Sequence, residues 1–171
     1  MGRAVCLVCI AALIALPVYA VPGAKRPPFS VTLNAPDKPL KSGAELHLQV
    51  TIKNTSDHDI TFLTSAGDDG FRYKIRVLDA HAHPAPPSAL VIAMRSDKKL
   101  VEFGWSNFGR KLKPGESLVD EIDVTKLYDL SQPGIYTISV TRHIPPDAVP
   151  QGQKLGKGFV RSNTIAVTVV K

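Results

Sequence analysis

The chain contains very little cysteine. Of its 171 residues only two are cysteines, Cys6 and Cys9, and both lie in an apolar run near the N-terminus. We expect that run to be removed as part of a signal peptide, which would leave the mature chain without disulfides. The composition therefore argues against a small disulfide scaffold, and the fold must depend on its hydrophobic core.

Known signatures of catalysis are also missing from the sequence. It has no Gly-x-Ser-x-Gly nucleophile motif, no P-loop and no dinucleotide-binding glycine pattern. The predicted mature chain has no free thiol either. We therefore predict that the protein is not an enzyme and needs no cofactor.

The N-terminus has the pattern of an export signal. Arg3 precedes the apolar run from Ala4 to Leu16, and Val18-Tyr19-Ala20 provides a signal peptidase site. We predict a signal peptide over residues 1–20, a flexible lead-in over 21–28 and one domain over 29–171. Retention of the segment as an anchor is the alternative. The protein is expected to be periplasmic or extracellular.

Helical periodicity longer than one turn is absent after residue 20, and alternation of apolar and polar residues takes its place. Turn-forming Pro, Gly and Asn residues separate the alternating stretches, a pattern that predicts an all-β, antiparallel sandwich of seven to nine strands. The clearest strands are Phe29–Leu33, Ala44–Lys53, Phe71–Val77, Tyr136–Val140 and Ile165–Val169.

Three local features refine this prediction. The apolar run Ala89–Met94 is expected to be a short strand. Asp120 interrupts the apolar side of its strand, which indicates a bulge or a sheet edge. Tyr136 follows the Pro133-Gly134 turn and fits a tyrosine corner, in which the hydroxyl bonds to upstream backbone.

Several segments together resemble a known fold family. They are Leu46–Phe62, Phe71–Asp79, the turn at Lys113-Pro114-Gly115 and the run Pro133–Thr137. This pattern resembles immunoglobulin-like β-sandwich domains of exported bacterial proteins of unknown function. It is also distantly similar to the intracellular proteinase inhibitor domain family, although the Trp-rich hairpin of that family is reduced here to Trp105-Ser106. The resemblance implies an immunoglobulin-like fold and brings no activity with it.

One pair of histidines could bind a metal. His81 and His83 are two residues apart, so on a strand they would lie on one face, and Asp79 could add a third ligand. The alternative is a hairpin tip with both imidazoles in solvent. The other histidines are isolated in the sequence, so we predict no metal site, with a metal-handling protein as a second alternative function.

The long Pro-, Gly- and Lys-rich segment 143–162 is the predicted binding region. Because such long loops are often functional, it could capture a protein or an anionic envelope component. The predicted mature net charge of +5, from 20 basic and 15 acidic residues, permits such a partner. Nucleic acid is not an expected partner after export. The alternative is inhibition of an extracellular protease through this segment, whose candidate contact residues are Lys154, Leu155, Lys157, Phe159 and Arg161.

Overall fold

The structure is a computed structural model and describes residues 26–65, 72–96, 107–149 and 158–171. The helix in these ranges is α1 (Ala89–Ser96). Eight of the strands have five residues or more, within the predicted seven to nine. The strands are β1 (Phe29–Asn34), β2 (Leu40–Lys41), β3 (His47–Asn54), β4 (Ile60–Ser65), β5 (Lys74–Leu78), β6 (Asn107–Leu112), β7 (Ser117–Asp123), β8 (Gly134–His143), β9 (Phe159–Arg161) and β10 (Ile165–Val170).

The strands form an immunoglobulin-like β-sandwich. One sheet has the order β1-β3-β7, and the other has the order β2-β10-β8-β5 with β9 added to β8. Strands β4 and β6 form a separate antiparallel pair. The partners β1-β3-β7 and β5-β8-β10 correspond to the A-B-E and C-F-G sets of an immunoglobulin domain. Among the described pairs only β2 and β10 run parallel.

Alternation along the strands builds the core between the sheets. In β1 the buried residues Phe29, Val31 and Leu33 alternate with more exposed ones, and β3 follows the same pattern. The ring of Phe29 packs edge-on against Phe62 of β4, with centroids 5.0 Å apart. Since β1 and β3 each bury one face, the hydrophobic pattern fixes the register between them.

The predicted tyrosine corner is confirmed. The hydroxyl of Tyr136 donates a hydrogen bond to the backbone carbonyl oxygen of Gln132, four residues upstream, at 2.9 Å. The ring is buried, with 6% of the residue exposed. The bond therefore anchors the start of β8 to the turn that precedes it.

The predicted strand at Ala89–Met94 is wrong, because this segment begins helix α1. Ser88 caps the helix, since its hydroxyl oxygen accepts a hydrogen bond from the backbone N–H of Val91 at 3.2 Å. Leu90 and Ile92 remain 44% and 53% exposed, so the apolar run does not form a buried strand. In the sequence, the helix start is indicated by Ser88, a residue type that favours the N-cap position, directly after Pro84, Pro86 and Pro87.

Of the two features expected at Asp120, the sheet edge is confirmed and the bulge is wrong, because β7 is the last strand in the order β1-β3-β7. Strand β7 keeps an unbroken register with β3 from Ser117 to Asp123. Asp120 points into the core, is 8% exposed, and accepts a hydrogen bond from the hydroxyl of Tyr73. The polar residue is tolerated there because a buried partner satisfies it.

The long segment 143–162 is more ordered at both ends than the sequence indicated. Strand β8 continues to His143, and Phe159–Arg161 returns as strand β9 paired with it. After β8, Pro146–Ala148 forms a 3-10 turn, and the carboxylate of Asp147 accepts a hydrogen bond from the Thr61 backbone N–H at 2.8 Å. The expectation that residues 143–162 form one continuous loop is therefore wrong. The loop is shorter and connects β8 to β9.

The predicted signal peptide 1–20 and most of the lead-in lie outside the described residues, so these boundaries stay predictions. In the described ranges, no helix has both the length and the apolar character needed to cross a membrane.

Candidate binding face

A cationic face lies on the outer side of the larger sheet. Alternation along β5 buries Ile75 and Val77 and leaves Lys74 and Arg76 exposed. In β9 the same alternation buries Val160 and turns its two neighbours outward. We call six of the outward residues of these strands and of β8 the outer face: Lys74, Arg76, Ser139, Thr141, Phe159 and Arg161.

The sheet register brings the cations of the outer face together. Lys74 pairs with Thr141, and Thr141 pairs with Arg161 on its other side, so the three residues form a row across β5, β8 and β9. Arg76 pairs with Ser139 in the next row on the same face. Adjacent strands are about 4.8 Å apart, so Lys74 and Arg161 are roughly 10 Å apart at the backbone. Their long side chains can reach one extended ligand together.

A shallow cavity of about 480 Å³ lies on this face. Its lining includes Lys74, Arg76 and Arg161, and none of the described lining residues is an aspartate or glutamate. Among the described residues, no ion pair joins these three cations to a carboxylate. Three like charges therefore lie around the cavity without a described carboxylate partner, and the electrostatic potential there is positive.

Phe159 adds an apolar contact beside the charges. It is 58% exposed, and its ring packs edge-on against the imidazole of His143 with centroids 5.2 Å apart. An exposed aromatic side chain whose orientation is fixed by a neighbour is a suitable anchor for a ligand. The outer face therefore combines cationic donors with an aromatic ring.

The sequence identified only part of this face. Phe159 and Arg161 were candidates, and β9 places both of them there. Lys154, Leu155 and Lys157 lie outside the described residues, so their roles, and the protease-inhibitor interpretation that depends on them, stay predictions. Lys74 and Arg76 were overlooked because alternating charged residues on a strand are typical of any solvated face.

His81 and His83 lie in the turn that follows β5, and both imidazoles are exposed, as the alternative interpretation expected. Their ring centroids are 6.2 Å apart. The Asp79 carboxylate accepts hydrogen bonds from the backbone N–H groups of both histidines, at 2.9 and 2.8 Å. The bond from His83 contributes most to lowering the pKa of Asp79. Asp79 thus stabilises the turn, and metal binding by this pair stays a hypothesis.

Comparisons with known proteins do not assign the chain to a family. No family model and no curated protein matches it. The CARDB domain of the PF1109 protein from Pyrococcus furiosus, solved in complex with di-metal ions, is 18% identical at a TM-score of 0.39, over 83% of this chain and 87% of that one. A β-glucosidase from Listeria innocua solved with isofagomine is 17% identical at a TM-score of 0.41, over 82% of this chain and only 16% of its own. Likenesses this low carry no argument about function.

Proposed function

We propose that the protein is an exported, non-catalytic binding module that captures an anionic polymer of the cell envelope on its outer face. The observation that carries this proposal is the set of three cations, Lys74, Arg76 and Arg161, around one cavity whose described lining residues include no aspartate or glutamate. The N-terminal signal pattern supports export and so favours an envelope component over a nucleic acid.

The geometry favours a polymer over a small anion. Lys74 and Arg76 lie on β5, and Arg161 lies across the sheet on β9. Phe159 of β9 also lines the cavity. An extended polyanion can contact all of them at once, and several weak contacts on one chain reinforce each other. An acidic surface of a protein is the other partner with matching charge, and the experiment below separates the two.

The test compares a charge-deleted variant with a matched control. In the first variant, Lys74, Arg76 and Arg161 are each replaced by Gln. In the control, three exposed lysines away from the face are replaced by Gln, so that the net charge falls equally: Lys38, Lys53 and Lys113. Each lost contact removes up to about 1 kcal/mol, so the outer-face variant should bind a polyanion roughly tenfold more weakly or worse.

Dextran sulfate beads provide the probe, and uncharged dextran beads provide the blank. The parent and control variant should be retained on dextran sulfate at low salt and released at high salt, whereas the outer-face variant should not be retained. Equal retention of both variants would contradict the proposal. If the parent does not bind dextran sulfate but does bind an acidic protein, the partner is a protein and not a polymer.

A further inference from the structure

A second cluster of charged side chains lies on the opposite sheet, at the start of β3 and the end of β7. His47 is in register with Asp123. The imidazole of His47 lies between two carboxylates, with Nε2 3.0 Å from Oε2 of Glu45 and Nδ1 3.0 Å from Oε1 of Glu121. One ligand atom each from Glu45, His47 and Asp123 lies within 4.8 Å of the others.

Asp123 differs from the other residues of this cluster because it is buried. It is only 4% exposed, although it lies on the outward side of β7. It accepts hydrogen bonds from the backbone N–H of Thr125 at 3.0 Å and from the Thr125 hydroxyl, and both end on Oδ1. Among the described residues no hydrogen bond or ion pair is found for Oδ2. Oδ2 is not a buried atom without a partner, so it is open to solvent and available to a cation, while the bonds to Oδ1 hold the carboxylate in place.

We propose that Glu45, His47 and Asp123 bind one divalent first-row transition-metal ion of the Zn²⁺ type, while Glu121 on the other ring nitrogen orients the imidazole. One imidazole nitrogen and several carboxylate oxygens suit such an ion, whereas Ca²⁺ and Mg²⁺ prefer oxygen ligands alone. Ligand atoms around zinc are about 3.4 Å apart when the metal–ligand distances are near 2.0–2.1 Å. Since Glu45 and His47 are exposed, rotation of their side chains can close the remaining gap to the fixed Asp123.

The expected consequence is a metal bridge between two strands and the segment before them. Glu45 precedes β3, His47 begins it, and Glu121 and Asp123 belong to β7. The site is separate from the exposed pair His81 and His83, which lies in a turn of the other sheet. It also shares no residue with the outer face, so this inference does not depend on the proposed function.

Calorimetric titration of the purified protein with Zn²⁺ tests the site. The parent should bind one equivalent, and His47→Gln should weaken the affinity at least tenfold. Because His47 is exposed, this variant should fold normally, and Glu45→Gln provides a second exposed substitution that should also weaken binding. The control, His81→Ala combined with His83→Ala, should bind like the parent, and Ca²⁺ should bind the parent much more weakly than Zn²⁺.

Three results would overturn the proposal: no Zn²⁺ binding by the parent, unchanged binding by His47→Gln, or loss of binding in the His81/His83 control alone. X-ray absorption of the zinc-loaded parent gives an independent answer. A bound Zn²⁺ with one imidazole and otherwise oxygen ligands would support the site. A bound Zn²⁺ with two imidazole ligands would contradict it.

Discussion

The hydroxyl of Tyr73 donates a hydrogen bond to the buried carboxylate of Asp120, and this bond joins the two sheets of the sandwich. Tyr73 precedes β5 and Asp120 belongs to β7, and the two residues are only 5% and 8% exposed. The guanidinium of Arg142 lies over the Tyr73 ring, 4.9 Å from its centroid. Arg142 itself donates to the backbone carbonyl oxygens of Arg72 and Leu63, at 3.0 and 2.8 Å. A polar network thus crosses an otherwise apolar core.

We expect Tyr73→Phe to lower the free energy of unfolding by about 1.5–3 kcal/mol, because it removes a hydrogen bond from a buried charged group. Urea titration of the parent and the variant measures this loss. A double-mutant cycle with Asp120→Asn should show a coupling of about 1 kcal/mol or more. Additive effects in that cycle would mean that the two side chains do not interact.

The sequence could not reveal this network. The polarity of Asp120 on the apolar side of its strand is visible in the sequence, and it predicts a bulge or a sheet edge. The edge position alone does not explain the burial of Asp120, whose partner Tyr73 is 47 residues away in sequence and comes close only when the sheets pack. A pattern confined to one strand contains no information about a partner on the other sheet.

Tyr136→Phe should reduce the free energy of unfolding by about 1 kcal/mol, because it removes the hydrogen bond to the Gln132 carbonyl oxygen while keeping the ring in the core. Denaturant titration is again the measurement. An unchanged midpoint and slope would show that the corner hydrogen bond does not contribute to stability.

Ser88→Ala should destabilise the protein by about 1 kcal/mol, since helix α1 loses its N-terminal cap. The same hydroxyl also donates a hydrogen bond to the carbonyl oxygen of Lys126. Ser88→Thr keeps the hydroxyl and is the matched control, which should retain most of the stability. If thermal melts place the two variants at the same temperature, the cap is not the cause.

His58 should make stability depend on pH. Its Nδ1 lies 2.9 Å from Oδ1 of Asp57, and this hydrogen bond raises the pKa of His58 above its usual value of 6.5. The bond also lowers the pKa of Asp57, so the carboxylate remains charged in mildly acidic solution. The contribution of a group with a raised pKa is fully present below the unfolded pKa and is lost as pH rises through the folded pKa.

The measurement compares the melting temperatures of the parent and of His58→Gln between about pH 5.5 and about pH 8. The difference between them should be larger at about pH 5.5 than at about pH 8. His47 also has a raised pKa, caused first by Glu45, but it is present in both proteins and cancels in the difference. A pH-independent difference would show that the His58 charge does not contribute.

Local patterns predicted much of the fold but only part of the candidate face. Alternation in β1, β3 and β8 was readable because each strand buries one side. Lys74 and Arg161 are 87 positions apart in the chain, and they meet only because β5 and β9 pair with the same residue of β8. Register between distant strands is set by packing of the whole core, which no single segment encodes.

The central claim is that the outer face binds a polyanion, and mapping the contact by NMR tests it most directly. Backbone amide signals of the labelled protein are followed during titration with short dextran sulfate fragments at low salt. We predict that the shifts concentrate on Lys74, Arg76, Thr141 and Arg161, and that they disappear at high salt. Shifts confined to residues 150–157, to the opposite sheet, or spread evenly over the surface would contradict the claim.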